Sequence, residues 1–99
     1  MRGEDLVFRA LADPTRRLIL DELAQRDEQT RYEICARLVM KHRVRMTPQA
    51  IGKHIEVLRK AGLVRAERRG KYRVLTLDSE PIRRVNERWM KRIVKGVEK

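Results

Sequence analysis

The chain has 99 residues, 39% of them charged, with 25 Lys/Arg against 14 Asp/Glu and a formal net charge of +11. That length suits one domain over residues 1–99 and is too short for a second core. No apolar run is long enough to span a bilayer or to serve as a signal-peptide core, so a cytoplasmic address without membrane contact is expected; the single cysteine, Cys35, excludes an internal disulfide.

In chain order, Leu6, Val7, Ala10 and Leu11 predict a short opening helix. Asp13-Pro14 starts a second, an N-cap acceptor followed by proline at the first helical position, where the missing N–H costs nothing. Leu18, Ile19, Leu23 and Ala24 should form its inward face. Tyr32 to about Met40 is a third apolar-periodic segment, with Ile34, Cys35, Leu38 and Val39 expected inside, and Lys41 to Arg45 reads as a basic connection. The fourth helix, over residues 47–61, has start, stripe and stop in agreement: Thr47 caps it, Pro48 follows, Ile51, Ile55 and Leu58 line one side, and Gly62 ends it with Leu63 folding back on Leu58. Two strands follow over residues 64–77, joined at Arg68-Arg69-Gly70-Lys71. Ser79 or Glu80 before Pro81 opens a last helix, along which Ile82, Val85, Trp89, Ile93 and Val97 recur at three- and four-residue steps.

The fold expected is therefore mainly α with a small β-hairpin, in the order α-α-α-α-β-β-α, a winged helix-turn-helix whose fourth helix would enter a DNA major groove. The charge distribution agrees. Residues 1–30 hold five Lys/Arg and seven Asp/Glu, residues 31–77 hold thirteen and three, and residues 78–99 hold seven and four. The positive field thus comes from the middle of the chain, and double-stranded DNA is the expected partner.

Opposite the apolar stripe of the fourth helix lie Gln49, Gly52, Lys53, Glu56 and Lys60. Gln49 suits an adenine edge and Lys53 a guanine or a phosphate. Gly52 costs roughly 1 kcal/mol of helix propensity against alanine, for which close approach of the backbone to DNA is a plausible return. Thr47 and the helix start can hold one phosphate. His54, at the edge of the stripe, is either a base reader or a packed, hydrogen-bonded histidine. Arg68, Arg69 and Lys71 at the hairpin tip fit a neighbouring minor groove or its phosphates, and Lys41, Arg43 and Arg45 the backbone on the other side. The seam of the last helix is too long for one small core, so the terminal helices are expected to form a homodimer through Val7, Leu11, Val85, Trp89 and Ile93. No nucleophile–base pair, phosphate loop or metal set is visible, so neither catalysis nor a cofactor is expected.

Phe8 to Arg17 followed by Leu18-Ile19-Leu20-Asp21 resembles the N-terminal signature of the ArsR/SmtB winged-helix repressors. Lys53-His54-Ile55, Val57-Leu58 and Lys60 to Val64 resemble their recognition helix and its exit, and Arg69-Gly70-Lys71-Tyr72 with Leu75 to Asp78 their wing. The resemblance covers about residues 5–90 and implies a homodimeric repressor on an inverted-repeat operator, with room for an effector of unknown chemistry. A non-specific architectural DNA binder is the alternative. The family's commonest metal box has two thiols; the matching stretch here, Glu33-Ile34-Cys35-Ala36-Arg37-Leu38, has one, and the last helix has no histidine. The resemblance is thus to the metal-independent members. Two departures stand out: Gly52 replaces the family's usual serine, and Val39 to Met46 is longer than the usual tight turn.

Overall fold

The computed structural model describes residues 3–98. Helices α1 (Gly3–Leu11), α2 (Pro14–Gln25), α3 (Arg31–His42) and α4 (Pro48–Lys60) precede strands β1 (Val64–Arg69) and β2 (Tyr72–Leu77). Helix α5 (Glu80–Val85) then runs without a break through a π-helical turn, Asn86–Met90, into α6 (Lys91–Glu98). The expected order is the observed one.

Local chemistry sets most of the boundaries. The Asp13 carboxylate accepts from the N–H groups of Thr15 (2.8 Å) and Arg16 (3.1 Å), and Pro14 opens α2. Helix α3 starts with a capping box: Thr30 Oγ1 accepts from Glu33 N–H at 3.2 Å while Glu33 Oε1 accepts from Thr30 N–H at 3.1 Å. Helix α4 ends in a Schellman motif, Leu63 N–H donating to the Leu58 carbonyl at 3.0 Å and Gly62 N–H to that of Arg59 at 2.9 Å. Gly62 makes this turn at φ +78°, and Gly70 makes the hairpin turn at φ +61°.

One core joins these elements. Ile19, Leu23, Ile34, Leu38, Ile51, Leu58 and Leu63 are its largest wholly buried aliphatics, each worth roughly 1.5–3 kcal/mol by removal from water. In α2 the inward positions are Ile19, Leu20 and Leu23, whereas Ala24 is exposed; in α3 Val39 is exposed. In α2 the buried stripe is rotated toward Leu20 and Glu22, and in α3 it is narrowed to Ile34 and Leu38 because Val39 at its margin faces solvent.

Two buried polar residues tie the helix-turn-helix to its surroundings. Gln29, between α2 and α3, forms a one-residue third strand: its N–H donates to Leu75 O at 3.1 Å and its carbonyl accepts from Leu75 N–H at 2.8 Å. This locks the wing to the start of α3. Glu22 on α2 is buried and accepts from Lys41 Nζ at 3.1 and 3.4 Å, with His42 Nε2 at 3.6 Å. It holds the end of α3 against α2, since a buried carboxylate left unpaired is strongly destabilising. Helix α3 runs on to His42 and Arg43 caps it in the left-handed conformation, φ 55°; the basic connection is thus shorter than expected, and Lys41 faces Glu22.

The dimer assignments need revision. Val7 and Val85 are only 3% and 2% exposed within a single protomer, where they belong to the core shared by α1 and α5; they are consumed internally. Leu11 is half-buried. The seam emerges at Trp89, 45% exposed, and continues through Ile93 at 50% and Val97 at 81%. Trp89 meets Phe8 of α1 edge-on, ring centroids 5.6 Å apart.

Candidate nucleic-acid interface

Helix α4 begins where Thr47 Oγ1 accepts from Ala50 N–H at 3.1 Å, so the Thr47 side chain is engaged as a cap. Ile51, Ile55 and Leu58 point into the core and fix the helix rotationally, which leaves Gln49, Lys53 and Lys60 exposed on the far side. Glu56 on the same side is clasped by Arg59, whose Nε donates to Oε2 at 3.0 Å and whose Nη2 donates to Oε1. Those hydrogen bonds hold its carboxyl below the usual carboxylate range.

Beside this face lies a groove of about 620 Å³ between α4, the start of α3 and β2. Ile55 and Leu75, both buried, lie at its base, and two tyrosines more than half exposed, Tyr32 and Tyr72, line it. Arg31, Lys53, Lys71 and Arg73 bring cations to it. Among the described residues none of these four meets a carboxylate within salt-bridge distance.

The predicted contact residues separate into groups. Gln49, Gly52, Lys53 and Lys71 come together around the groove. Arg68 is exposed on the wing, its Nε donating to Gly70 O at 3.4 Å. Arg69 is turned back, donating from Nη2 to Glu28 Oε1 at 2.7 Å with Glu67 at 3.5 Å; these pairings raise its pKa further and make it a brace between wing and α2–α3 loop. His54 is half-buried, and Arg16 Nη1 donates to its Nδ1 at 3.3 Å. Arginine only donates, so Nδ1 must accept and the ring is tied to α2. The same Arg16 donates to the carbonyls of Ala10 (2.9 Å) and Arg9 (3.0 Å), so the pair cements the end of α1 against α4. Of the two readings of His54, the packed histidine is the one the geometry favours.

Gly52 also has a new neighbour. A Cβ built there would lie 3.1 Å from Arg31 Nη1, so an arginine occupies the space that the glycine leaves. Arg31, Tyr32, Tyr72 and Arg73 were not singled out from sequence. Arg73 carried a signal, as an outward cation on a strand; Arg31, at the first position of α3, carried none.

A helix-turn-helix followed by a hairpin wing, with the polar side of the second helix exposed beside that wing, defines a winged helix-turn-helix DNA-binding domain. The family of helix-turn-helix domains described as "Helix-turn-helix domain" matches residues 11–67. The chain is 50% identical over 88 residues to the uncharacterized HTH-type transcriptional regulator YuzN of Bacillus subtilis (strain 168), covering 89% of this chain and 96% of YuzN. The crystal structure of the ArsR family transcriptional regulator RHA00566 superposes with a TM-score of 0.78 at 30% identity over 99% of both chains. The homodimeric winged helix-turn-helix DNA-binding domain of Mb0332 from Mycobacterium bovis does so with a TM-score of 0.69 at 25% identity, over 97% of this chain and 82% of that one. The chain belongs to the ArsR family of winged helix-turn-helix transcriptional regulators.

Proposed function

We propose that residues 1–99 act as one unit, a homodimeric, sequence-specific repressor that occupies an inverted-repeat operator and blocks transcription from it. The observation that carries this reading is the cluster of Lys53, Lys71, Arg73 and Arg31 around the groove, with Gln49 exposed on the adjoining helix face. Unpaired cations suit a polyanion, and an exposed amide on a rigid helix suits a base edge. Thr47 contributes by fixing the helix start, and Arg68 and Lys71 of the wing reach flanking phosphates. The dimer forms through the Trp89–Ile93–Val97 seam, with Leu11 at its edge; the homodimeric state of Mb0332 supports this. Two recognition helices related by a two-fold axis would then read half-sites ~34 Å apart.

The reading as a metal-independent type rests on Arg37, which stands where the family's metal box has its second thiol. Cys35 donates from Sγ to Met46 O at 3.2 Å, inside the helix-turn-helix, and among the described residues no cluster of three or more His, Cys, Asp or Glu side chains has metal-binding geometry. Among the described residues no helix is long and apolar enough to cross a membrane.

Selection of bound sites from a random DNA pool at ~150 mM salt, where purely ionic binding is suppressed, tests the proposal. An enriched inverted repeat is expected, with discrimination at one base position relaxed in Gln49→Ala. An unenriched pool, with binding only at low salt, would replace sequence-specific repression by architectural DNA binding.

A further inference from the structure

Gly52 breaks the propensity of an otherwise well-formed helix, and the space above it is filled from another element. Arg31, at the first position of α3, lays its guanidinium where a Cβ of residue 52 would come within 3.1 Å of Nη1. The guanidinium is fixed on its other side too: Nη2 donates to Tyr32 Oη at 3.1 Å, and its central carbon lies 5.0 Å from the centroid of the Tyr32 ring, within cation–π range. Among the described residues it has no carboxylate partner. An arginine held between a glycine seat and a tyrosine is preorganised, and loses less rotamer freedom on binding than a free surface cation. It lines the groove together with Lys71 and Arg73 of the wing. Glu56, an acid that lines the same groove, is paired with Arg59.

We propose that Arg31, seated over Gly52 and within cation–π range of Tyr32, is a fixed clamp for one DNA backbone phosphate, completed by Lys71 and Arg73 of the same groove. This rests on the DNA-binding reading above and gives Gly52 a different role from close approach to DNA: the glycine accommodates the arginine, and the arginine meets the phosphate. The ligand is a phosphodiester of the duplex. Free inorganic phosphate, which lacks the neighbouring contacts along the strand, should not displace DNA at millimolar concentration.

The test is a double-mutant cycle on operator binding, with salt dependence measured for each variant. Arg31→Ala should weaken binding about tenfold or more and reduce the magnitude of the log K against log salt slope by about 0.9 for each arginine removed. Arg31→Lys should keep most of the slope and lose part of the affinity, because the charge survives and the guanidinium's fixed contacts with Tyr32 do not. Gly52→Ala should weaken binding in the parent but have no further effect in the Arg31→Ala background, since both changes act through one guanidinium. Thermal melts accompany each variant; Gly52→Ala should melt no lower than the parent, as alanine is the better helix former.

An unchanged slope in Arg31→Ala would overturn the clamp. A Gly52→Ala penalty of equal size in both backgrounds would overturn the seat and return the glycine to direct approach of DNA. Failure of the parent chain to bind any duplex would instead remove the DNA-binding reading itself, and is seen before any variant is compared.

Discussion

The face built from α4 and the wing and the helix that begins at Glu80 are both rich in arginine and lysine, yet they use that charge in opposite ways. Around the groove, Arg31, Lys53, Lys71 and Arg73 stand without acidic partners among the described residues. Along α5 and its π turn, every arginine is paired: Arg83 with Glu80 and with Glu87 at 2.9 Å, Arg84 with Glu80 at 3.4 Å, and Arg88 with Glu4 of α1 at 3.1 Å. Exposed pairs of this kind stabilise little, but they cancel the local field. The pairing along α5 neutralises the approach to the apolar seam, which suits a protein surface, although Lys91, Arg92 and Lys95 farther along α6 enter no salt bridge among the described residues; the first region offers uncompensated cations, suited to a polyanion. A net charge of +11 therefore does not locate the interface. The clustering of unpaired cations around one groove is what supports the proposed one.

The largest effect expected from this contrast is on operator affinity. Neutralising Lys53 as Lys53→Gln should cost about 1–3 kcal/mol per recognition helix and reduce the salt slope, whereas Arg84→Gln should leave affinity within about twofold. Titrating one labelled operator with both variants at fixed salt decides the matter. Comparable losses in the two would mean that the paired cations also face DNA.

Next is the seam. Trp89→Ala should dissociate the dimer at micromolar concentration, but it also removes the edge-on contact with Phe8. Ile93→Asp is the cleaner variant, since Ile93 is half exposed within the protomer; it should sediment as a folded monomer. A variant that still sediments as a dimer would place the subunit contact elsewhere.

A third effect concerns stability of the recognition helix rather than contact with any partner. Gly62 sits at φ +78°, where an L-residue pays roughly 1–2 kcal/mol. Gly62→Ala should lower the free energy of unfolding by about that much in a denaturant melt. Among the described residues only Pro81 Cγ, at 3.5 Å, would touch the new methyl, so a much larger loss would point to a disturbed junction between α4 and α5 instead of a strained backbone.

What the sequence disclosed follows from the range of the interactions involved. The Asp13-Pro14 and Thr47-Pro48 starts, the Gly62 stop and the Gly70 turn were legible because cap and turn chemistry is decided within a few residues. The inward sides of α4 and the order of elements followed from periodicity. Contacts across the chain were not legible. Arg69 looked like a free wing cation until Glu28, 41 residues earlier, closed on it. That Arg31 from the preceding helix lies against Gly52 was not legible either. Val7 and Val85 had the spacing of a seam, but only packing of α1 against α5 decides that they are spent inside. The π turn escaped as well: Lys91 N–H donates to Asn86 O, five residues back, which takes an extra residue into the turn and breaks the 3.6-residue period assumed for the last helix.

The smallest effect tests whether neutralisation along α5 is what separates the two regions. Hydrogen bonding from Arg83 holds the Glu80 carboxyl down to about 2, from an ordinary 4.5. A carboxyl depressed in the folded state stabilises fully above its unfolded value, so this contribution is present above pH 4.5 and is lost as the pH falls toward 2. Glu80→Gln should therefore melt slightly below the parent at pH 7, with the difference closing between pH 4.5 and 2. A difference of constant size at all pH values would assign it to packing of the side chain and not to its charge. The same variant releases Arg83 from one partner and Arg84 from its own, so its DNA titration carries further information. If α5 faces a protein surface, operator affinity at neutral pH stays where it was. A clear tightening would mean that two masked cations lie within reach of the duplex, and that the acidic partners on α5 tune DNA binding as well as the helix.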